Sequence, residues 1–269
     1  MTADADPAAS RHALRRRLEQ ARAELGISYG AVANALGWPL SDLLLVAAVA
    51  DGIEDGRLRA LMDHYGMTEP SEELQAPLPS PLSTAVRVLA AYESQATAVR
   101  TFEPFLIPGL LQTRTYARSV LRFYATPQNL EALVDARLAR QEIFDGVDGP
   151  EMVFLLDESA LHRWAGAAGE GSAIMREQLE HIRRMARHPR VRLNIISYAA
   201  GVHEGVKGPF VVLESAGPLL YLEDAKGDVI SASAEDIGLH QDRFANLAAG
   251  ATASEDLAAF LDGALARLA

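Results

Sequence analysis

The chain has 269 residues and a mass of 29.0 kDa, with 49% hydrophobic and 6% aromatic residues and a formal net charge of −11. That apolar share excludes a disordered chain and is enough for one large domain or two small ones. Cysteine is absent, which excludes disulfides, thiolate zinc sites, iron–sulfur clusters and cysteine nucleophiles. The acidic balance opposes nucleic acid as a partner of the whole surface.

The first ten residues read as a frayed tail. They are acidic and lack the basic and apolar regions of a signal peptide. The longest apolar run, 43–50, is far short of the roughly 18 residues a membrane span needs. The expectation is a cytoplasmic protein without membrane contact. From Arg11 to Tyr65 the pattern predicts helices. Leu14, Leu18, Ala21 and Leu25 recur at three- and four-residue steps, and Gly26 stops that helix. Ser28 is suited to cap a second helix, Tyr29 to Leu36, which stops at Gly37. Leu40 to Ala50 reads as a third helix, and Arg57 to Tyr65 as a fourth or fifth. Residues 68–83 hold four prolines and little periodicity, the signature of a linker.

Beyond the linker, Ala85 to Val99 reads as a helix, Pro104 and Pro108 force an irregular loop, and Leu110–Tyr124 and Leu130–Phe144 read as helices. Met152 to Leu156 is continuously apolar and bounded by Pro150 and Asp157, as a short buried strand would be. Ile174–Arg187 is an amphipathic helix and Val191–Ile196 a strand. Phe210–Leu213 and Leu219–Leu222 form a hairpin, and Ala234–Ala249 and Glu255–Leu268 are closing helices. The expected fold class is mainly α with a small β-sheet (α+β). It comprises a helical domain over 1–67, a proline-rich linker over 68–83 and an α+β domain over 84–269.

The segments LRRRLEQARAELGISYGAVANALGW and GRLRALMDHYGM of the first region resemble an Xre-type, lambda-repressor-like helix-turn-helix of five helices. Short helices meeting at a tight turn make the two-helix unit that lays a reading helix in the major groove. The second region is similar to the C-terminal domain of unknown function that follows this unit in many actinobacterial regulators. The segments FEPFLIPGLLQTRTYARSVL (102–121), RLARQ (137–141), LDESAL (156–161), REQLEHIRRMARHPRVRLNII (176–196), GVHEGVKGPFVVLE (201–214) and YLED (221–224) carry that similarity. The resemblance implies a cytoplasmic, homodimeric transcription regulator, antitoxin-like in pairing with a small partner protein.

The reading helix departs from this pattern. Where such regulators carry a stretch like S-x-x-S-R-I-E-x-G, this chain has Leu44, Leu45 and Ala47 for the second Ser, Arg and Glu, and Val49 for the Gly. No Lys or Arg occurs from Trp38 to Gly56. Base edges and phosphates need donors, acceptors and cations, and leucines supply none of them. Residues 1–67 hold seven arginines against nine acids, a net of −2. Arg15, Arg16, Ser28 and Tyr29 remain as candidate backbone contacts, although the arginine cluster also reads as a solvated helix face. A helix apolar all round is buried. Leu43, Leu44, Leu45, Val46 and Val49 are therefore expected to form a dimer or domain contact, with sequence-specific DNA reading weakened or lost.

Among groups that carry chemistry, Asp157-Glu158 follows a strand and could form an acid/base pair, or cap the next helix. His203 and Glu204 lie in a glycine-bounded loop. Glu223 ends a strand and could face Arg137 or Arg140 across a cavity, or form a buried ion pair with one of them. His181 and His188 have no third ligand at useful spacing, so no metal is expected. The glycine-rich 166–171 follows a helix and reads as a flexible loop. Nucleotide-binding and hydrolase motifs are missing, and no cofactor is expected. Arg137, Arg140, Gln141, Glu158 and Glu223 are the candidate pocket for an apolar small molecule or a partner. An alternative is a scaffold repurposed for cofactor-free cyclase or isomerase chemistry in secondary-metabolite biosynthesis, with Glu158, His203 and Glu223 as acids and bases. A conventional DNA-binding repressor is the further alternative.

Overall fold

The computed structural model describes residues 7–49, 55–67, 82–145, 148–166, 170–215, 217–223, 227–252 and 256–268. The chain divides into two compact units, Met1–Tyr92 and Glu93–Ala269. The expected fold class holds: helices dominate and a smaller mixed sheet occupies the second unit.

The first unit holds α1 (Pro7–Leu25), α2 (Tyr29–Leu36), α3 (Leu40–Val49), α4 (Asp55–His64) and α5 (Thr84–Glu93), whose last residue opens the second unit. Helix α1 starts inside the stretch read as a tail, with a proline in its first turn, where the missing N–H costs nothing. Ser28 accepts a hydrogen bond from the Ala31 N–H at 3.1 Å and caps α2. Gly37 ends α2 in the left-handed conformation, φ 67°, so the chain turns at once into α3. Leu14, Leu18, Val32, Leu43, Val46, Leu61 and Met62 form the core of this unit. The expected linker falls largely on 68–81, and the glycine-rich loop on 167–169, outside the described residues.

The second unit holds, in order, β1 (Ala98–Glu103), α6 (Arg114–Leu121), α7 (Leu130–Ala139), β2 (Glu151–Asp157), α8 (Ser159–His162), α9 (Gly171–Met185), β3 (Val191–Ile196), β4 (Phe210–Glu214), β5 (Leu219–Leu222), β6 (Val229–Ser231), α10 (Ala234–Ala249) and α11 (Leu257–Ala266). The sheet order is β3-β2-β1-β4-β5-β6. Strands β1 to β3 are parallel, and β4, β5 and β6 add antiparallel. Two expectations need correction. The helix read over Ala85–Val99 stops at Glu93, and Ala98 and Val99 open β1. Pairing on both sides, with β2 and with β4, overrides the local helical pattern. The helices read over Leu110–Tyr124 and Leu130–Phe144 are each shorter, flanked by 3-10 turns at Gly109–Leu111 and Arg140–Phe144.

Helix α10 packs on one face of the sheet, against Phe102, Leu155, Phe210, Val212 and Leu220. The two-residue period of strands sends Thr101, Glu103, Tyr221 and Glu223 to the opposite face. The parallel strands end at one edge, where β4 begins with Phe210 opposite Phe102 and β5 ends with Leu222 opposite Phe210. The chain leaves β1 toward β2 on one side and returns to β4 on the other. That reversal is where open α/β sheets form a crevice. No single helix among the described residues is long and apolar enough to cross a membrane.

Candidate functional site

A polar network surrounds the turn after β1. Pro108-Gly109-Leu110-Leu111 folds as a 3-10 turn with Leu110 and Leu111 buried. Burial leaves its backbone groups dependent on side chains. Gln112 donates to the Ile107 carbonyl at 2.7 Å, and Gln141 to the Gln112 carbonyl at 2.6 Å. Gln178 on α9 accepts from the Thr113 N–H at 2.7 Å and donates to the Leu111 carbonyl at 2.6 Å. Arg137 on α7 donates to the side-chain oxygen of Gln112 at 3.0 Å. Arg140 pairs with Glu93 through two bonds, at 2.6 and 3.1 Å. The candidate pocket residues Arg137, Arg140 and Gln141 thus come together on this turn. Glu93 and Gln178 complete the set and escaped sequence reasoning, because their partners lie 47 and 65–67 residues away along the chain.

Arg140 does not pair with Glu223; its carboxylate partner is Glu93. Glu223 acts on Arg137 and Arg140 through charge instead. Burial, and then the neighbouring Glu223, hold the Glu103 carboxyl well above the usual carboxylate range, against the pull of Arg137. Glu223 is raised too, by burial first and then by Asp228, with Arg137 and Arg140 opposing. Glu223 is nevertheless exposed at the surface, whereas Glu103 is half-buried, so solvent screens the share of Glu223 and the pH dependence comes chiefly from Glu103. Burial lowers the Arg137 pKa, and Arg140 lowers it further.

Below the unfolded carboxyl pKa, Glu103 is protonated in both states. Above it the unfolded chain releases the proton while the folded chain retains it, so stability falls until pH passes the raised folded pKa. Glu103→Gln is therefore expected to melt higher than the parent at neutral pH, with the difference vanishing near pH 4. Melting curves across that range check it; equal curves at neutral pH would refute it.

On the α10 face, His203 and Asp157 form a second constellation. The His203 Nδ1 accepts from the Gly205 N–H at 3.1 Å. Its proton therefore sits on Nε2, which donates to Asp157 Oδ2 at 2.9 Å. Asp157 Oδ1 accepts from the Ser159 N–H at 2.7 Å. With both ring nitrogens engaged, the imidazole as folded ties a loop to the end of β2 and presents no free lone pair. A Cβ at Gly205 would lie 2.2 Å from Phe102 Cζ, so the loop closes only with glycine there. Glu158 accepts from the Tyr198 N–H at 2.8 Å and lies 3.4 Å from His162 Nε2. The carboxylate meeting His203 is thus Asp157, and Glu158, His203 and Glu223 share no contact among the described residues.

In the first unit, Leu43 and Val46 belong to the core, and Leu44 and Leu45 are buried with exposures of 0% and 7%. Val49 closes α3; its side chain, like that of Arg15, lies outside the described residues. Arg16 is exposed. Ser28 spends its hydroxyl on the α2 cap. Tyr29 donates its hydroxyl to Glu19, with the Arg22 guanidinium 4.3 Å above its ring. Among the described residues no group of three acidic or histidine side chains could hold a metal ion.

The fold and these networks define a two-unit protein, a helical bundle followed by a mixed α/β domain held by a buried polar turn. Residues 86–263 match the family described as Domain of unknown function (DUF5753), and the chain belongs to that family. Comparison with curated proteins and with solved structures gives no match. Within the family region, the segments at 102–121, 137–141 and 176–196 meet in the network around Gln112, through Arg137, Gln141 and Gln178.

Proposed function

We propose that this protein is a homodimeric regulatory binding protein of the helix-turn-helix regulator type whose sequence-specific DNA reading is weakened or lost. Its second unit receives a ligand or a small protein partner. The observation that carries the reading is α3: Leu43, Leu44, Leu45, Val46 and Ala47 are all buried, in a helix without a single cation. The regulator type is supported by the joint between α2 and α3, a three-residue turn with a bend of 116°. Two helices joined by a short glycine turn at about 90–120° are the helix-turn-helix form. The loss of DNA reading is supported by the polar remainder of α3, where Asp42 is neutralised by Arg57 at 2.6 Å. That surface offers a duplex a carboxylate and no free donor fork.

Fluorescence anisotropy against the DNA upstream of its own gene, at physiological salt, tests the reading. Specific readers prefer their site over random duplex by about 1,000-fold or more; here the preference is expected to stay below about tenfold. A selective, tight complex would refute the weakened-reader assignment. Sedimentation at micromolar concentration is expected to give a dimer, and a monomer would refute that part.

A further inference from the structure

Two groups of opposite charge stand near each other in the second unit without pairing. The first is Arg137. Gly109 carries no side chain, and Arg137 Nε and Arg140 Nη1 lie over it, 3.8 and 3.7 Å from where a Cβ would stand. The two guanidiniums therefore sit side by side on the buried turn. Arg140 spends its charge on Glu93. Arg137 does not. It is half-buried and donates from Nη1 to the neutral side chain of Gln112. Its Nε–Nη2 edge, the fork that grips a carboxylate through two parallel bonds, has no acceptor among the described residues. Holding Gln112 in place uses Nη1 alone and leaves that fork unexplained.

The second group is Glu103. It ends β1 on the sheet face opposite α10, where β1 and β4 part company, and it is half-buried. Its carboxyl has no hydrogen bond and no ion pair among the described residues. Arg137 and Glu103 feel each other's charge. Glu223 and Asp228, both exposed, add negative charge on the solvent side. The site is thus open at one end and shielded at the other, so that charges in it attract more strongly than they would in water.

We propose that this site binds a small zwitterion of the α-amino-acid type, with its carboxylate on the Nε–Nη2 fork of Arg137 and its ammonium on Glu103. Charge selects the ligand class. A simple anion would lie beside Glu103, Glu223 and Asp228 and leave them unanswered. A simple cation would face Arg137 and Arg140. A ligand with both charges answers both groups. Burial and Glu223 favour a proton on Glu103, and an ammonium there takes the place of that proton. The proposal rests on the reading of the second unit as a ligand receiver and names the ligand class.

Isothermal titration of the full chain with the common α-amino acids tests it, followed by the N-acetyl and amide derivatives of the tightest binder. At least one amino acid is expected to bind. Each derivative lacks one of the two charges and is expected to bind at least about tenfold more weakly. Arg137→Gln and Glu103→Gln are each expected to weaken the amino acid at least about tenfold. Glu103→Gln, which is expected above to melt higher than the parent, should leave the N-acetyl derivative unaffected. That outcome separates a lost contact from a lost fold. Failure of every amino acid to bind would overturn the proposal, as would unchanged affinity in both variants. Equal binding by the N-acetyl derivative would overturn it in favour of an anion site, and equal binding by the amide in favour of a cation site. In those two cases the second unit still receives a ligand, so the broader reading stands while the zwitterion falls.

Discussion

Replacing Glu93 by alanine is expected to cost about 3–5 kcal/mol and to lower the melting midpoint by roughly 6–20 °C. Glu93 is 3% exposed, and its partner, the Arg140 side chain, is 12% exposed. Two bonds join them, Nη2 to Oε1 at 2.6 Å and Nε to Oε2 at 3.1 Å. Removing the carboxylate leaves a guanidinium confined where water cannot replace its partner. An uncompensated buried charge costs more than the intact pair contributes. The double variant Glu93→Leu/Arg140→Met removes both charges and is expected to recover most of the loss. Thermal melts of the two single variants and the double variant measure the coupling. A loss below about 1 kcal/mol for Glu93→Ala would show that the pair behaves as a surface ion pair.

Gln178→Leu is expected to destabilise the second unit by about 2–6 kcal/mol. The glutamine is 0% exposed and answers two backbone groups of the turn, the Thr113 N–H and the Leu111 carbonyl. Leucine fills a similar volume and answers neither. Each orphaned buried group costs about 1–3 kcal/mol. Gln178→Glu keeps the acceptor for Thr113 but sets a carboxylate against the Leu111 carbonyl, so it is expected to be no more stable than the leucine variant. Urea unfolding at neutral pH measures both losses. A cost under about 1 kcal/mol would mean that the turn finds other partners.

Both predictions concern residues that local pattern cannot flag. Glu93 closes a helix that reads as running on to Val99, and Arg140 lies in a segment that reads as uninterrupted helix. Their meeting depends on where the fold of the second unit places Glu93 and the turn after α7. The Gln112 turn shows the same limit. Its leucines announce a buried segment, whereas the side chains that satisfy its backbone come from 137–141 and from Gln178. For His203, the glycine-bounded loop marked a candidate acid or base, but that its ring is tied to Asp157 required the tertiary placement of that loop against the end of β2.

Composition and periodicity by themselves determined the α+β class, strands β3 to β5 nearly to the residue, and the caps at Ser28 and Gly37. They also determined that a helix as apolar as α3 must be buried. These features are local: an apolar period, a capping oxygen and a glycine able to take a positive φ act over a few residues. Tertiary structure alone decided that Ala98–Glu103 is a central strand, that Glu103 and Glu223 share one sheet face, and that Arg140 meets Glu93. Such pairings depend on the distances and solvent exclusion set by the whole fold, and no window of sequence contains both partners.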